Sequence, residues 1–166
     1  MQLTVIVIVL IGLMAVGYHF GRQRALGSVG GGAGIRQLHS LPSYYGAYVV
    51  LWGALPALLL LFLWSVLQDG LLIDLVVADL PEHLRTLPEA QLGLLLNDIR
   101  NLASGNIVSS DPTPEVQAAA DQLIALQQAS EVTKGVAVLA LATLAGGLAW
   151  RAIAPKMRAR NRVEWI

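Results

Sequence analysis

The chain has 166 residues, of which 55% are hydrophobic and only 13% are charged, and its mean hydropathy is +0.62. Soluble domains carry about 25% charged residues, so this composition excludes an ordinary soluble globular protein. The 11 basic and 11 acidic residues balance, which argues against a nucleic-acid partner. The absence of cysteine excludes disulfides and cysteine-based catalytic or metal sites.

Residues 1–20 contain the first long apolar stretch, which predicts a transmembrane helix. As a helix, the uncharged run from Leu3 to Phe20 would extend about 27 Å, close to the ~30 Å hydrocarbon core of a bilayer. A cleaved secretory signal peptide is the alternative interpretation. Such a peptide starts with basic residues, whereas Arg22 and Arg24 follow the stretch, so we expect a retained helix.

Residues 21–45 are expected to form a cytoplasmic glycine-rich linker followed by an interfacial motif. The glycines between Gly27 and Gly34 favour a flexible segment that resists helix formation. A phosphate-cradling loop is the other interpretation, but no Lys-Ser/Thr pair follows Gly34 and no strand precedes the glycines. The lone histidine of the motif, His39, lies beside tyrosines, which indicates a hydrogen-bonded interface residue rather than a metal ligand or base.

Residues 46–67 predict the second transmembrane helix, which is long enough to cross the bilayer comfortably. Pro42 is suited to the first turn of this helix. Ser40 or Ser43 is expected to cap its N-terminus. Pro56 lies inside the span and predicts a kink.

Residues 68–134 are expected to form a periplasmic acidic helical segment. A shorter helix around Gly70–Leu80 would continue the second span outward. Pro88 and Glu89 predict the start of an amphipathic helix that the sequence from Ser104 onward would end. Five of its apolar residues follow helical spacing and define one face: Leu92, Leu95, Leu96, Ile99 and Leu102.

A second helix of this segment is predicted to begin at the run from Asp111 to Glu115. Its apolar face consists of Val116, Ala119, Ala120, Leu123 and Leu126 or Gln127. No breaker occurs between Pro114 and Gly135, so we expect this helix to run into the third span. The pieces together predict a small helical cap.

The ten carboxylates of residues 68–134 favour a solvated face over a metal or catalytic site. Hard cations are bound by closely spaced oxygen ligands, whereas most of these acids lie five or more residues apart. No nucleophile elbow or zinc-binding helix is present in the sequence. We therefore expect no catalytic residue, no metal, no cofactor and no enzymatic activity.

Residues 135–153 predict the third transmembrane helix, and residues 154–166 a basic cytoplasmic tail. Small residues four apart, Ala142 with Gly146 and Thr143 with Gly147, give this span a face suited to close helix packing. The sequence leaves open whether this face packs within the chain or against a partner.

The charge distribution predicts the orientation of the three spans. The net charge is +3 in residues 21–45, −7 in residues 68–134 and +4 in residues 151–166. Because basic residues near transmembrane ends mark the cytoplasmic side, both basic segments should lie inside and the acidic one outside. We thus expect an all-α integral membrane protein with three transmembrane helices, a small extracytoplasmic helical cap, a periplasmic N-terminus and a cytoplasmic C-terminus.

Several strings of residues carry a family resemblance. They are Leu38-His39-Ser40-Leu41-Pro42-Ser43-Tyr44-Tyr45-Gly46 with Trp52 and Pro56, then Gly105-Asn106-Ile107-Val108, then Pro112-Thr113-Pro114-Glu115-Val116-Gln117-Ala118-Ala119-Ala120, and also Arg24-Ala25-Leu26 and Arg160-Asn161-Arg162-Val163-Glu164. Together they resemble the N-terminal region of PstC-type permeases, the permease subunits of the bacterial phosphate ABC transporter. The resemblance extends over nearly the whole chain.

This resemblance implies import of inorganic phosphate across the bacterial inner (plasma) membrane. The implied partners are a second permease subunit, a cytoplasmic ATPase and a periplasmic phosphate-binding protein, with membrane lipid around the spans. The resemblance gives the string from Leu38 to Gly46 no defined role. Such permeases also have a conserved core of further helices, which the chain up to Ile166 does not contain, so we expect an N-terminal region rather than a complete transport unit.

A three-span membrane protein with an extracytoplasmic sensing or protein-interaction domain is the alternative function. In either case the net negative charge of the predicted cap argues against direct capture of phosphate, because like charges repel.

Overall fold

The computed structural model describes residues 3–106, 112–154 and 157–164. Six α-helices lie in these ranges: α1 (Leu3–Gly27), α2 (Pro42–Asp79), α3 (Glu82–Arg85), α4 (Glu89–Ala103), α5 (Pro114–Arg151) and α6 (Ala159–Glu164). No strand occurs among the described residues. Helices α1, α2 and α5 are each long and apolar enough to cross a membrane, which confirms the predicted all-α fold with three membrane-spanning helices.

The glycine-rich segment is more ordered than the sequence predicts. Helix α1 continues to Gly27, and a short 3-10 helix occupies Gly32–Gln37. The chain turns between them at Gly30 and Gly31, whose φ angles of 77° and 92° favour glycine. A side chain at Gly34 would collide with the carbonyl of Val29. The glycines therefore permit a tight turn here, and the expectation that this segment resists helix formation was wrong for Gly32–Gln37.

Helix α2 begins at Pro42, as predicted, but the expected cap is not formed. Because the first helical residue is Pro42, the capping position is Leu41, which has no side-chain oxygen. Ser40 lies one residue further out, and its hydroxyl accepts a hydrogen bond from the backbone N–H of Arg160 instead. The helix continues through Pro56 to Asp79, so the predicted outward extension of the second span is confirmed.

The chain divides into two compact units. One comprises Met1–Phe62 with Lys134–Ile166, and the other comprises Leu63–Thr133. The first range of sequence contains nine basic residues and one acidic residue, and the second contains ten acidic and two basic residues. We call them the basic unit and the acidic unit. The two units are defined by contacts in space, and their boundaries coincide with the change in the sign of the charge along the sequence.

The acidic unit has its own apolar core. The side chains of Val76, Ile99 and Ala120 are fully buried there. All five residues of the predicted α4 face contribute to this core, so the amphipathic prediction is confirmed. Helix α4 starts after Pro88 and is followed by Gly105 with a φ of 73°, which also agrees with the predicted boundaries.

Helix α5 supplies the other side of that core and then continues without a break. Its residues Val116, Ala119, Ala120 and Leu123 are buried in the core and Leu126 packs against it. The helix starts at Pro114, and the predicted starting residue Asp111 lies outside the described residues. Because α5 extends to Arg151, the predicted continuation into the third span is confirmed.

The basic unit is held together by two apolar clusters. One contains Ile6, Leu10, Ala57, Leu61, Val138 and Ala142, contributed by all three membrane-capable helices. The other contains Ala25, Tyr45, Tyr48, Val49, Ala149, Ile153 and Ala159, at the ends of those helices and the start of α6. The second cluster includes part of the family string from Leu38 to Gly46.

Candidate functional site

The string from Leu38 to Gly46 lies between the 3-10 helix and the first turns of α2. Leu38 ends the 3-10 helix and its side chain packs against the second apolar cluster. Leu41 is exposed and Pro42 half-buried. Tyr45 and Gly46 are buried. The string therefore alternates between half-buried and exposed residues up to Tyr44, and its last two residues belong to the interior of the basic unit.

Tyr45 is the centre of this region. Its side chain is 0% exposed and is the largest fully buried one among the described residues. Its hydroxyl donates a hydrogen bond of 2.8 Å to the carbonyl oxygen of Met157. A buried phenol needs such an acceptor, because an unpaired hydroxyl in an apolar cluster costs free energy. Tyr45 thus ties the start of α2 to the C-terminal part of the chain.

Two neighbouring side chains contact the same C-terminal part. The backbone N–H of Arg160 donates to the hydroxyl of Ser40 at 3.1 Å, and the hydroxyl of Tyr44 lies 3.4 Å from a carboxylate oxygen of Glu164. Arg160 and Glu164 form an ion pair of 2.7 Å within α6. The hydrogen bond and the charge of Glu164 raise the pKa of Arg160 above its ordinary value.

We name the contacts of Ser40, Tyr44 and Tyr45 with residues 157–164 the C-terminal clasp. Each is separated by more than a hundred residues of sequence from its partner. The clasp places the segment 157–164 against the start of α2. Nothing in the sequence pattern predicts these pairs, because neither periodicity nor composition links positions so far apart.

Gly46 allows helix α1 to approach helix α2 closely. A Cβ atom on Gly46 would lie 2.7 Å from the ring of Tyr18 and 2.8 Å from its backbone oxygen. On the other helix, a Cβ on Gly21 would lie 2.9 Å from the backbone oxygen of Tyr45. Sequence analysis missed this crossing, although Gly17 and Gly21 have the G-x-x-x-G spacing that allows it.

Of the two small-residue pairs of the third span, one packs against α2 and the other is exposed. A Cβ on Gly53 of α2 would lie 3.3 Å from the backbone oxygen of Ala142 and 3.4 Å from Cα of Gly146. Ala142 and Gly146 therefore pack within the chain. Thr143 and Gly147 are exposed, and they line an apolar groove described below.

His39 contributes no recognisable chemistry to the site. Its side chain is exposed, and among the described residues it has no hydrogen-bond or ion-pair partner. Its expected role as a hydrogen-bonded residue at the membrane interface stays a prediction. Within the same ranges, no group of three His, Asp or Glu side chains is arranged to hold a metal ion. The contacts observed around residues 38–46 are apolar packing and hydrogen bonds to residues 157–164.

The acidic unit has a separate polar cleft of about 400 Å³. Side chains from three helices line it: Asp69, Leu72, Ile73, Asn97, Arg100, Asn101, Ser104, Leu123 and Gln127. Amide, guanidinium and carboxylate groups are mixed here, so the cleft can exchange hydrogen bonds with a polar partner. It carries no excess of positive charge that would favour a free anion.

Comparison with protein families identifies a match. The family model described as phosphate ATP-binding cassette transporter matches residues 5–166. No curated protein and no solved structure matches the chain. The matched family and the three membrane-capable helices indicate a membrane protein connected with transport. Because the match extends over nearly the whole sequence, the chain belongs to the phosphate ATP-binding cassette transporter family.

Proposed function

We propose that this chain forms the N-terminal membrane region of a permease subunit that imports inorganic phosphate. The observation that carries the proposal is the family match over residues 5–166, a range that includes all three membrane-capable helices. The string from Leu38 to Gly46, which resembles PstC-type permeases, supports the same assignment. Phosphate then crosses the membrane in the assembled transporter, and this region contributes to the structure of the permease.

The proposal extends to location and partners. The chain lies in the bacterial inner membrane with its N-terminus in the periplasm and its C-terminus in the cytoplasm, which the positive charge of residues 21–45 and 151–166 supports. Its partners are a second permease subunit, a cytoplasmic ATPase and a periplasmic phosphate-binding protein. The spans 1–20, 46–67 and 135–153 separate the linker 21–45, the periplasmic segment 68–134 and the tail 154–166.

The role we propose for the C-terminal clasp is attachment. Ser40, Tyr44 and Tyr45 hold residues 157–164 at the cytoplasmic ends of the spans, where the permease meets its ATPase. This role fits the geometry, since all three contacts end on the same short segment.

Phosphate uptake tests the proposed function. Cells that lack residues 1–166 but keep the rest of the transporter are supplied with the wild-type chain or with an empty vector, and entry of radiolabelled phosphate is measured at low external phosphate. We expect the wild-type protein to restore uptake. We also expect an affinity tag on it to recover the second permease subunit and the ATPase from the membrane. Unchanged uptake together with recovery of neither component would refute the proposal.

A second candidate function has its own support. The acidic unit has a separate apolar core and a polar cleft, which favours an extracytoplasmic domain that binds a protein partner. The natural partner in this setting is the periplasmic phosphate-binding protein.

Charge substitutions on one helix test this second function. Asn97 lines the cleft and Gln91 does not, and both are exposed on α4. Asn97→Arg should weaken binding of the purified phosphate-binding protein in a surface-binding assay, while Gln91→Arg should bind like wild type. Equal binding by both variants would exclude the cleft as the contact.

A further inference from the structure

Arg24, in the last turn of α1, has an unusual environment. Its guanidinium carbon lies 4.3 Å from the centre of the Trp150 ring, close enough for a cation–π interaction. Its Nε atom is buried and has no hydrogen-bond partner among the described residues. A buried charged donor without an acceptor is unfavourable. Trp150 therefore holds the Arg24 side chain in a position where the Nε–H group has no acceptor.

A cavity of about 490 Å³ opens beside this side chain. Arg24, Gln23 and Ser28 supply its polar lining, and Phe20 and Trp150 supply aromatic walls. The amide of Gln23 is already 2.8 Å from the ring of His19, and the hydroxyl of Ser28 donates to Ala25. Arg24 is the charged group in this lining, and its guanidinium has more N–H donors than either neighbour.

A second, apolar groove of about 330 Å³ begins at the same two aromatic residues. Phe20 and Trp150 line both spaces. From there the groove follows α1 back to Leu13, roughly 10 Å along the helix axis, and it passes Gly147 on α5. Because α1 is a membrane-capable helix, this direction leads from the end of the helix into the hydrocarbon layer.

The electrostatic setting favours an anion at Arg24. The sequence of the basic unit contains nine basic residues and a single acidic one, Glu164. Glu164 is held 2.7 Å from Arg160, so it is already neutralised by another arginine. An anionic group that enters the cavity meets positive charge and an unpaired donor.

We propose that these two spaces form one binding site for an anionic phospholipid. The phosphate of the headgroup accepts hydrogen bonds from the guanidinium of Arg24, which lines the cavity, and one acyl chain fills the groove between α1 and α5. An amphiphile matches this arrangement because the polar cavity and the apolar groove meet at Phe20 and Trp150. A free phosphate ion would leave the groove open, and an apolar helix of another subunit would leave the guanidinium of Arg24 without an anionic acceptor.

Lipid retention tests the headgroup half of the site. The full chain is purified in detergent, and its affinity for phosphatidylglycerol and phosphatidylcholine is measured by native mass spectrometry. Arg24→Gln should weaken phosphatidylglycerol binding roughly tenfold. Arg22→Gln is the matched control, since it removes the same charge from an exposed residue of the same helix turn. Equal binding by wild type and Arg24→Gln, or no preference of the wild type for the anionic lipid, would overturn the proposal.

The groove half is tested by filling it. A Cβ on Gly147 meets no atom within 4 Å, so a side chain can start from this position, and we expect Gly147→Leu to fill the groove. It should release the lipid while leaving Arg24 intact. Gly12→Leu is the control, because Gly12 is equally open but does not line the groove. If Gly147→Leu binds the lipid as tightly as wild type does, the groove is not an acyl-chain site. The same conclusion follows if the substitution dissociates an oligomer of this chain while lipid binding stays unchanged.

Inorganic phosphate distinguishes the two sources of the anion. Millimolar phosphate should not displace phosphatidylglycerol from the wild-type chain. Displacement, or binding of phosphate alone that depends on Arg24 but not on Gly147, would show a site for the free ion and overturn the lipid assignment. Should Arg24→Gln fail to fold, as judged by loss of helical circular dichroism, the Gly147→Leu and Gly12→Leu pair decides the question.

Discussion

Two glycines determine how closely α1 and α2 approach. Gly21 and Gly46 each face backbone atoms of the opposite helix at distances that a Cβ could not occupy without movement. Backbone atoms cannot move aside as a flexible side chain can, so these contacts fix the crossing. In membranes, where burial of apolar surface does not drive helices together, such close packing is a principal source of helix association.

Gly21→Ala should therefore destabilise the basic unit. The added methyl group would lie 2.9 Å from the backbone oxygen of Tyr45, and overpacking of this kind costs about 1–3 kcal/mol. Thermal unfolding in a mild detergent measures the effect. Gly12→Ala on the same helix, where nothing lies within 4 Å, should unfold like wild type. Equal midpoints for the two variants would contradict the assigned crossing.

Tyr45→Phe tests the contribution of a single hydroxyl group to the C-terminal clasp. It removes the hydroxyl that donates to Met157 and keeps the ring, so we expect a loss of about 1 kcal/mol and faster release of residues 157–164. Trypsin cleavage at Arg158, Arg160 and Arg162 reports that release. The neighbouring Tyr44→Phe removes only an exposed contact of 3.4 Å, so this variant should be cleaved at nearly the wild-type rate. Equally faster cleavage of both variants would show that the Tyr45 hydrogen bond contributes no more than the Tyr44 contact.

Among the elements, α4 shows most clearly how a sequence pattern becomes a stable face. Ile99 is 0% exposed in the acidic core, and Leu94 on the opposite side of the same helix is 68% exposed. Ile99→Ala should lower the free energy of unfolding of the acidic unit by about 2–5 kcal/mol. Leu94→Ala should change it little. Denaturant titration of the full chain, followed by circular dichroism, compares the two; a larger loss from Leu94→Ala would contradict the assigned orientation of α4.

Elements with a local signal were predictable from the sequence, and contacts between distant residues were not. The α4 face follows from apolar spacing, and the start of α2 follows from Pro42, because both depend on neighbouring residues. The turn at Gly30 and Gly31 was misjudged because glycine permits a tight turn as readily as a disordered one. The pairing of Tyr45 with Met157 and of Arg24 with Trp150 depends on how the helices pack, which no single helix encodes.

For the whole molecule, the two compact units coincide with the division of charge. Positive charge is concentrated in the sequence of one unit and negative charge in that of the other. The same separation underlies the proposed orientation, in which the basic unit presents its charged ends to the cytoplasm and the acidic unit lies in the periplasm.

Cysteine labelling tests this orientation directly, because the chain contains no cysteine of its own. Ser28→Cys and Ser104→Cys are equally conservative changes at exposed positions, one in each unit. In intact spheroplasts, a membrane-impermeant maleimide should label position 104 and spare position 28. Both should react once the membrane is permeabilised. The reverse pattern in intact cells would refute the proposed topology.

The bond between Tyr45 and Met157 also has a consequence for biogenesis. The two residues are 112 positions apart, so at a synthesis rate of about 5–20 residues per second the ribosome delivers the acceptor roughly 6–22 s after the donor. During that interval Tyr45 has to rely on water or a lipid headgroup. Docking of residues 157–164 can therefore occur only after the third span has been made. A chain that stalls or inserts wrongly keeps Tyr45 unsatisfied, which gives quality-control proteases a feature that distinguishes it from the finished protein.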